Sequence, residues 1–371
     1  MLAAPAPTRR ASVQVTPRST TATIGRTPPF LRAGTPGRPG QARPPGPSQA
    51  RPARYAVGVS TLRPSLSRPV DFFEFWSTTI DELNRIPPLV ELQAAGTRAG
   101  PELELELERL SFASLGGARI HGYLLRWVDG KPRPLVVHGH GYGGRSTTKW
   151  RWARAGLNVV GVDVRGWGRS GAALPSPSRS GYVLTGIESP ERHVLRGAVC
   201  DYLRAVQVGR ELLGAAVTRT VLQGWSFAGG LALMAEALAG TGDLLAVAVP
   251  TFGWAEGRRL FGSSGSAGEI NHYLERRPEH AAEDLMVVLR YFDPVNFAGL
   301  VRCPTLVGVG LIDEVVPAPT VLAIAAHLGG SHELMRFPVS HSSAPEERRW
   351  RAFEQRWLEL ALTGVPEGFG A

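Results

Sequence analysis

Polar and apolar residues follow two periods along this chain, and the change from one to the other outlines a fold. Leu103-Glu104-Leu105-Glu106-Leu107-Glu108 starts a residue-by-residue alternation that carries on to Phe112, the pattern of a half-exposed strand. Ala118 to Trp127 reads as its antiparallel partner, joined through Gly116-Gly117. Ahead of this pair, Val70-Asp71-Phe72-Phe73-Glu74-Phe75-Trp76 opens a helix that runs to about Asn84 and stops at Pro87-Pro88. Further on, short continuous apolar runs take over: Pro134–His138, Leu157–Asp163, Thr220–Leu222, Leu244–Pro250, Pro304–Gly310 and Leu334–Pro338. Runs of this kind belong to strands covered on both faces. Helix-forming stretches separate them, near Thr148–Arg154, over Pro190–Leu213 with Arg192, Arg196 and Arg204 on a largely solvated face, after Ser226, over Phe261–Arg290, and over Pro345–Leu362. The expected class is therefore α/β, a mainly parallel sheet with helices on both faces. The segment from Asp163 to about Pro190 is long enough to be a lid, a binding loop or an interface element. No internal repeat is visible.

Composition changes this picture at one end. Residues 1–70 hold 11 Arg, no Lys, no acid and 13 of the 30 prolines. The whole chain carries +9, so removing that +11 leaves −2 for residues 71–371. The basic balance thus describes an N-terminal tail and not the body. Without apolar periodicity the tail cannot bury enough surface to fold, so residues 1–56 are expected to be disordered and 57–371 to form the domain. Such a composition also suits a stretch translated from upstream of the native start. Few aromatics interleave with its arginines, and no nucleic-acid partner is expected. No apolar run reaches spanning length and no secretory pattern is present, so the expectation is a cytoplasmic protein with no membrane partner. Cys200 and Cys303 lie in unrelated contexts and suggest neither a disulfide framework nor a thiolate metal site.

The chemistry centres on Gly224-Trp225-Ser226-Phe227-Ala228-Gly229-Gly230, between an apolar run and a helix-forming stretch. That is the layout of a nucleophile elbow, which lifts one hydroxyl, here Ser226, to the edge of a sheet. A serine nucleophile needs a base, and the base needs an orienting carboxylate. Asp313 directly follows the Thr305–Gly310 run, and His341 closely follows Leu334–Phe337, in the order Ser, Asp, His. Glu314 stands one residue further from its strand end and is expected to be exposed. His332 precedes its strand, which puts it at the wrong end of the sheet. A tetrahedral intermediate also needs two aimed N–H groups. Phe227 supplies one, and Tyr142, in the loop after Pro134–His138, is the choice for the other. His138 and His140 make an H-x-H pair, but no third ligand is placed to complete a metal site. They are expected to hydrogen-bond locally, with no metal and no cofactor.

Across Val57–Leu362 these residues resemble the acetyl xylan esterase / cephalosporin C deacetylase family, carbohydrate esterase family seven, which has the α/β-hydrolase fold. The likeness is collinear through Phe72–Trp76, His140-Gly141-Tyr142, Asp163-Val164-Arg165-Gly166, Gly181-Tyr182, Thr185-Gly186-Ile187, Gly224-Trp225-Ser226, Tyr291-Phe292-Asp293, Val295-Asn296-Phe297, Cys303-Pro304 and Gly310-Leu311-Ile312-Asp313. The resemblance implies a metal-free serine esterase acting on small acetyl esters, acetylated oligosaccharides among them. It also implies a homo-oligomer, typically a hexamer, partly built through the Gly168–Pro190 segment. The family roles fall on Ser226, Asp313 and His341, with Tyr142 and Phe227 at the oxyanion. Where the family reads R-G-Q, G-x-S-Q-G and H-E, this chain has Trp167, Phe227 with Ala228, and Ser342. Two amides are thereby replaced by aromatics. Trp167, Tyr142 and Phe227 are expected to line the substrate site and to favour aryl or alkyl acetates over sugar esters. The competing readings are an acyl-peptidase or lipase-like hydrolase, and a non-catalytic ligand binder of the same fold.

Overall fold

A computed structural model describes residues 63–370 apart from 101–102, 279, 342 and 344–346. The expected tail of residues 1–56 lies outside them. Nine strands form one sheet: β1 (Glu91–Gly100), β2 (Leu103–Ala113), β3 (Arg119–Trp127), β4 (Arg133–His138), β5 (Asn158–Asp163), β6 (Val217–Trp225), β7 (Leu244–Ala248), β8 (Thr305–Gly310) and β9 (His332–Phe337). Their spatial order is β1-β2-β3-β5-β4-β6-β7-β8-β9. The pairs from β1 through β3 to β5 are antiparallel, and all pairs from β5 to β9 are parallel. The six parallel strands are the continuous apolar runs, and β5, β7 and β8 are buried at every position.

The helices are α1 (Phe72–Asn84), α2 (Trp150–Arg154), α3 (Val194–Leu213), α4 (Phe227–Ala239), α5 (Ala255–Phe261), α6 (Gly265–Leu274), α7 (His280–Leu289), α8 (Pro294–Ala298), α9 (Ala318–Ala325) and α10 (Arg348–Thr363). They cover both faces of the sheet, as expected. One layer contains α3, α4, α8 and α9, while α2 and α10 meet through Trp152 and Trp357, ring centroids 4.8 Å apart.

Three local features differ from the sequence expectation. Strand β1 has no apolar alternation of its own, and it forms by pairing with β2 around a bulge between Ala94 and Gly96. In β2 the alternation breaks at Glu108, which is buried and ion-paired with Arg126 at 3.1 Å. In α3, Arg204 is buried rather than solvated, donating through Nη2 to the carbonyls of Leu83 and Ile86 at the end of α1. Arg196 likewise reaches Thr79 and Glu82 of α1. Arg204 thus satisfies open carbonyls at the C-terminal end of one helix from the side of another, while Arg196 bonds side chains of that helix, so a charged stripe that reads as solvated is an inter-helix contact.

Candidate active site

Strand β6 ends at Trp225 and α4 begins at Phe227, so Ser226 alone forms the turn between them. Its backbone sits at φ 53°, ψ −113°, a conformation that side chains disfavour. Three backbone hydrogen bonds hold it there. Its N–H donates to Ala248 at 2.9 Å, and its carbonyl accepts from Gly230 and Thr251 at 3.1 Å each. The turn leaves no room for a side chain at Gly224, where a Cβ would lie 2.3 Å from the Ala228 carbonyl oxygen. The methyl of Ala228 is accommodated because residue 139, opposite, is a glycine.

Asp313 is buried directly past β8, and its Oδ1 accepts the N–H groups of Val315 and Val316 at 2.8 and 2.7 Å. Its other oxygen, Oδ2, meets Nδ1 of His341 at 2.8 Å. A carboxylate only accepts, so Nδ1 carries the proton and Nε2 is left as the basic nitrogen. The loop after β9 thus brings His341 back to the end of β8, as the sequence order requires. Glu314 is exposed, and His332 pairs with Thr305 at the opposite ends of β9 and β8. Ser226, Asp313 and His341 all lie past the C-terminal ends of parallel strands, where open α/β sheets bind ligands.

The loop after β4 carries Tyr142. Its hydroxyl donates to Glu269 Oε2 at 2.7 Å and accepts the Val183 N–H at 3.0 Å. Burial first, and then the bond to Glu269, push the phenol well above its usual range. Glu269 on α6 was not singled out by the sequence, since it lies far from the triad in the chain and in no motif. It ties the helical insertion α5–α7 to the Tyr142 loop. Gly181 permits this, because a Cβ there would sit 2.2 Å from the Glu269 carboxylate. His138 and His140 bond locally, as expected. Nδ1 of each donates to the next residue's carbonyl, at 2.9 and 2.8 Å, Nε2 of His138 meets the Tyr123 hydroxyl, and Nε2 of His140 accepts from Val164. Burial pushes His138 down to about 3 and lowers His140 as well, so both stay neutral. Among the described residues no group of three or more His, Cys, Asp or Glu could hold a metal ion.

The aromatic expectation needs correcting at one position. The Phe227 ring is 0% exposed and packs between His140, Tyr142, Tyr182 and Phe252, with centroids 5.5–5.9 Å away. Its N–H heads α4, where a helix offers no intrahelical acceptor. The side chain itself is core and presents no face to a substrate. Trp167 is half-buried against Tyr182 and Tyr142, at 4.8 and 5.5 Å. The sequence also passed over Trp225, which precedes Ser226 and packs edge-on against Trp350 of α10 at 4.3 Å. Those two rings, with Trp152, Trp357 and Phe353, line a cavity of about 290 Å³ that extends to His140 and Gly141.

The motifs around the site are mostly braces. Arg165 makes a two-pronged bond to Asp201 of α3, at 2.7 and 2.9 Å. Asp293 accepts the N–H groups of Trp254, Ala255 and Val295, and burial nonetheless raises it to about 6.

The family model for acetyl xylan esterase (AXE1) matches residues 58–352. Among solved structures, the acetyl xylan esterase from Paenibacillus sp. R4 is 25% identical with a TM-score of 0.72, the match covering 82% of this chain and 98% of that one. Acetyl xylan esterase 1 from Thermoanaerobacterium sp. JW/SL YS485 is 24% identical at a TM-score of 0.73, covering 81% and 97%. The acylaminoacyl peptidase of Pyrococcus horikoshii shares the fold at 15% identity and a TM-score of 0.52, covering 75% of this chain and 51% of that one.

Proposed function

We propose, because this chain belongs to the acetyl xylan esterase family, that it hydrolyses small acetyl esters through a Ser226–His341–Asp313 triad and an acyl-enzyme. Family membership makes the protein a carboxylic ester hydrolase of the acetyl-ester type. The observation that carries the mechanism is the 2.8 Å bond from His341 Nδ1 to Asp313, by which the carboxylate orients the ring and turns Nε2 away from itself. In this reading Nε2 takes the Ser226 proton as Oγ attacks the acyl carbonyl. The oxyanion is held by the N–H groups of Phe227 and Tyr142. His341 then returns the proton to the departing alcohol oxygen as the C–O bond breaks. Water, deprotonated by the same nitrogen, attacks the acyl-serine, and His341 passes that proton to Ser226 Oγ as the acyl–Oγ bond breaks and acetate leaves. Asp313 stays ionised throughout and stabilises the imidazolium. Acetylated xylo-oligosaccharides and simple acetates are the candidate substrates, and a cytoplasmic homo-oligomer is the candidate form. The likeness to an acylaminoacyl peptidase extends to the fold alone.

The test is 4-nitrophenyl acetate turnover. Ser226→Ala and His341→Ala should each lower kcat by about 10⁴–10⁶, with the double variant little worse, because the residues act as a unit. Asp313→Asn should be crippling and Glu314→Gln mild. A His341→Ala enzyme that keeps most of its activity would show that another group is the base.

A further inference from the structure

The loop after β4 does not end at Tyr142. Three residues on, at most ~10 Å of extended chain, it reaches Arg145, and Ser146 to Thr148 follow. These residues form the near wall of a cleft of about 850 Å³. Its floor crosses the antiparallel strands at Glu91, Ser111 and His121, which stand opposite one another on β1, β2 and β3, and Asp163 continues the row on β5, buried beneath Ser146 and Arg169. Asp163 ends β5, so the row lies on the same edge of the sheet as Ser226, with β3 three strand spacings from β6, or roughly 14 Å.

The cleft is cationic. Arg109, Arg145 and Arg169 line it. Arg169 is fixed and neutralised, with Nε on Asp163 at 2.8 Å and Nη2 on Ser146 at 3.1 Å. The exposed carboxylate, Glu91, is already paired with Arg119. Burial, and then the charges of Arg119 and Arg169, hold His121 below its usual range, so it adds no proton at neutral pH. Arg109 and Arg145 are both exposed, and among the described residues neither has a carboxylate partner. Two uncompensated guanidiniums therefore face the cleft beside the hydroxyls of Ser111, Thr147 and Thr148. A guanidinium offers a planar fork of donors matched to a carboxylate or a phosphate. Arg145 and Thr147 also line the aromatic cavity that reaches Gly141 and Trp225. One wall thus joins the cationic cleft to the neighbourhood of Ser226.

We propose that this cleft is a subsite for an anionic group on the alcohol half of the ester, set one to a few sugar-sized units away from the acetyl. The proposal rests on the esterase reading above and narrows its substrate class from neutral acetates to acid-bearing ones.

Three acetylated xylotriose probes test it: a neutral one, one carrying a single glucuronic acid, and one carrying a phosphate monoester. In the wild type, at least one acidic probe should exceed the neutral one in kcat/KM by about ten-fold, mostly through KM, which corresponds to about 1.4 kcal/mol. The preference should shrink in 0.5 M NaCl, where the Debye length is only about 4 Å. In the Arg109→Gln/Arg145→Gln double variant the acidic-to-neutral ratio should fall to about one, while the melting temperature stays that of the wild type. The carboxylate and phosphate probes separate the two sources of charge. Equal kcat/KM for all three probes in the wild type would overturn the subsite, as would a preference that survives the double variant. Failure of the wild type to turn over even 4-nitrophenyl acetate would instead sink the esterase reading.

Discussion

Ser226 and its neighbour show how differently adjacent residues meet their surroundings. Ser226 is held in a strained turn by backbone bonds, whereas Phe227 is held by its ring. Phe227→Gln should therefore act on stability, costing roughly 2–4 kcal/mol by burying an amide among aromatic rings. Trp167→Gln, at a half-buried site, should instead raise the kcat/KM ratio of acetylated xylobiose to 4-nitrophenyl acetate by about ten-fold. Melting curves and paired kinetics on the two variants separate these outcomes, and an unmoved ratio in Trp167→Gln would remove that ring from the substrate site. Glu269 offers a second test. On the proposed mechanism, Glu269→Ala removes one partner of the Tyr142 hydroxyl and should lower kcat about ten-fold with little change in KM, because the proposed oxyanion donor loses part of its support. Glu269→Gln keeps an acceptor and should recover most of that loss; equal damage in both variants would point to a requirement for charge. The strand-end positions of Ser226, Asp313 and His341 were legible in the sequence because strand ends and chain order are one-dimensional facts. Glu269 was not, since its role depends on a contact 127 residues away in the chain.

Strands β5, β7 and β8 were legible from their unbroken apolar runs, which two covered faces explain. Strand β1 was not, because an edge strand can borrow its order from the partner it bonds. Helix α9, Ala318–Ala325, was passed over because it is apolar on all sides and reads like one more buried segment. The helix-forming stretch expected over 261–290 comprises α6 and α7, with α5 ahead of them. Helix α4 carries a prediction of its own. Glu236, near its C-terminal end, is buried with its carboxylate on the Gly242 N–H at 2.9 Å, and burial raises it to about 7. Its folded value lies above the usual carboxyl value, so the native state binds more protons than the unfolded chain between about pH 4.5 and 7. Stability should fall through that window as pH rises and stay lowered above it. Glu236→Gln should remove the slope, melting roughly 2–4 °C above the wild type at pH 8 and level with it at pH 4.5. Scanning calorimetry at the two pH values checks this, and a variant less stable at pH 8 would contradict it.

For the molecule as a whole, the surplus of positive charge belongs to residues 1–70, while the described fold begins at residue 63. A chain beginning at Val57 should match the full chain in melting temperature and kcat/KM. One beginning at Asp71 should not. It would lose the Ser67 N–H bond to Asn296 at 3.0 Å, the Arg68 bond to the Asn296 carbonyl at 2.6 Å, and the Arg68 guanidinium over the Phe72 and Phe73 rings. A melt lowered by several degrees in the shorter chain alone would place the working boundary between the two starts. Equal melts would mean that those contacts contribute nothing measurable. The cavity beside Ser226 has a consequence of another kind. Four of the chain's nine tryptophans, Trp152, Trp225, Trp350 and Trp357, gather around it. Much of the ultraviolet emission of the intact protein thus arises close to Ser226, so a ligand entering that cavity should change the colour and yield of the light. The enzyme carries its own optical gauge of occupancy, and an inhibitor could be titrated by fluorescence without attaching a dye.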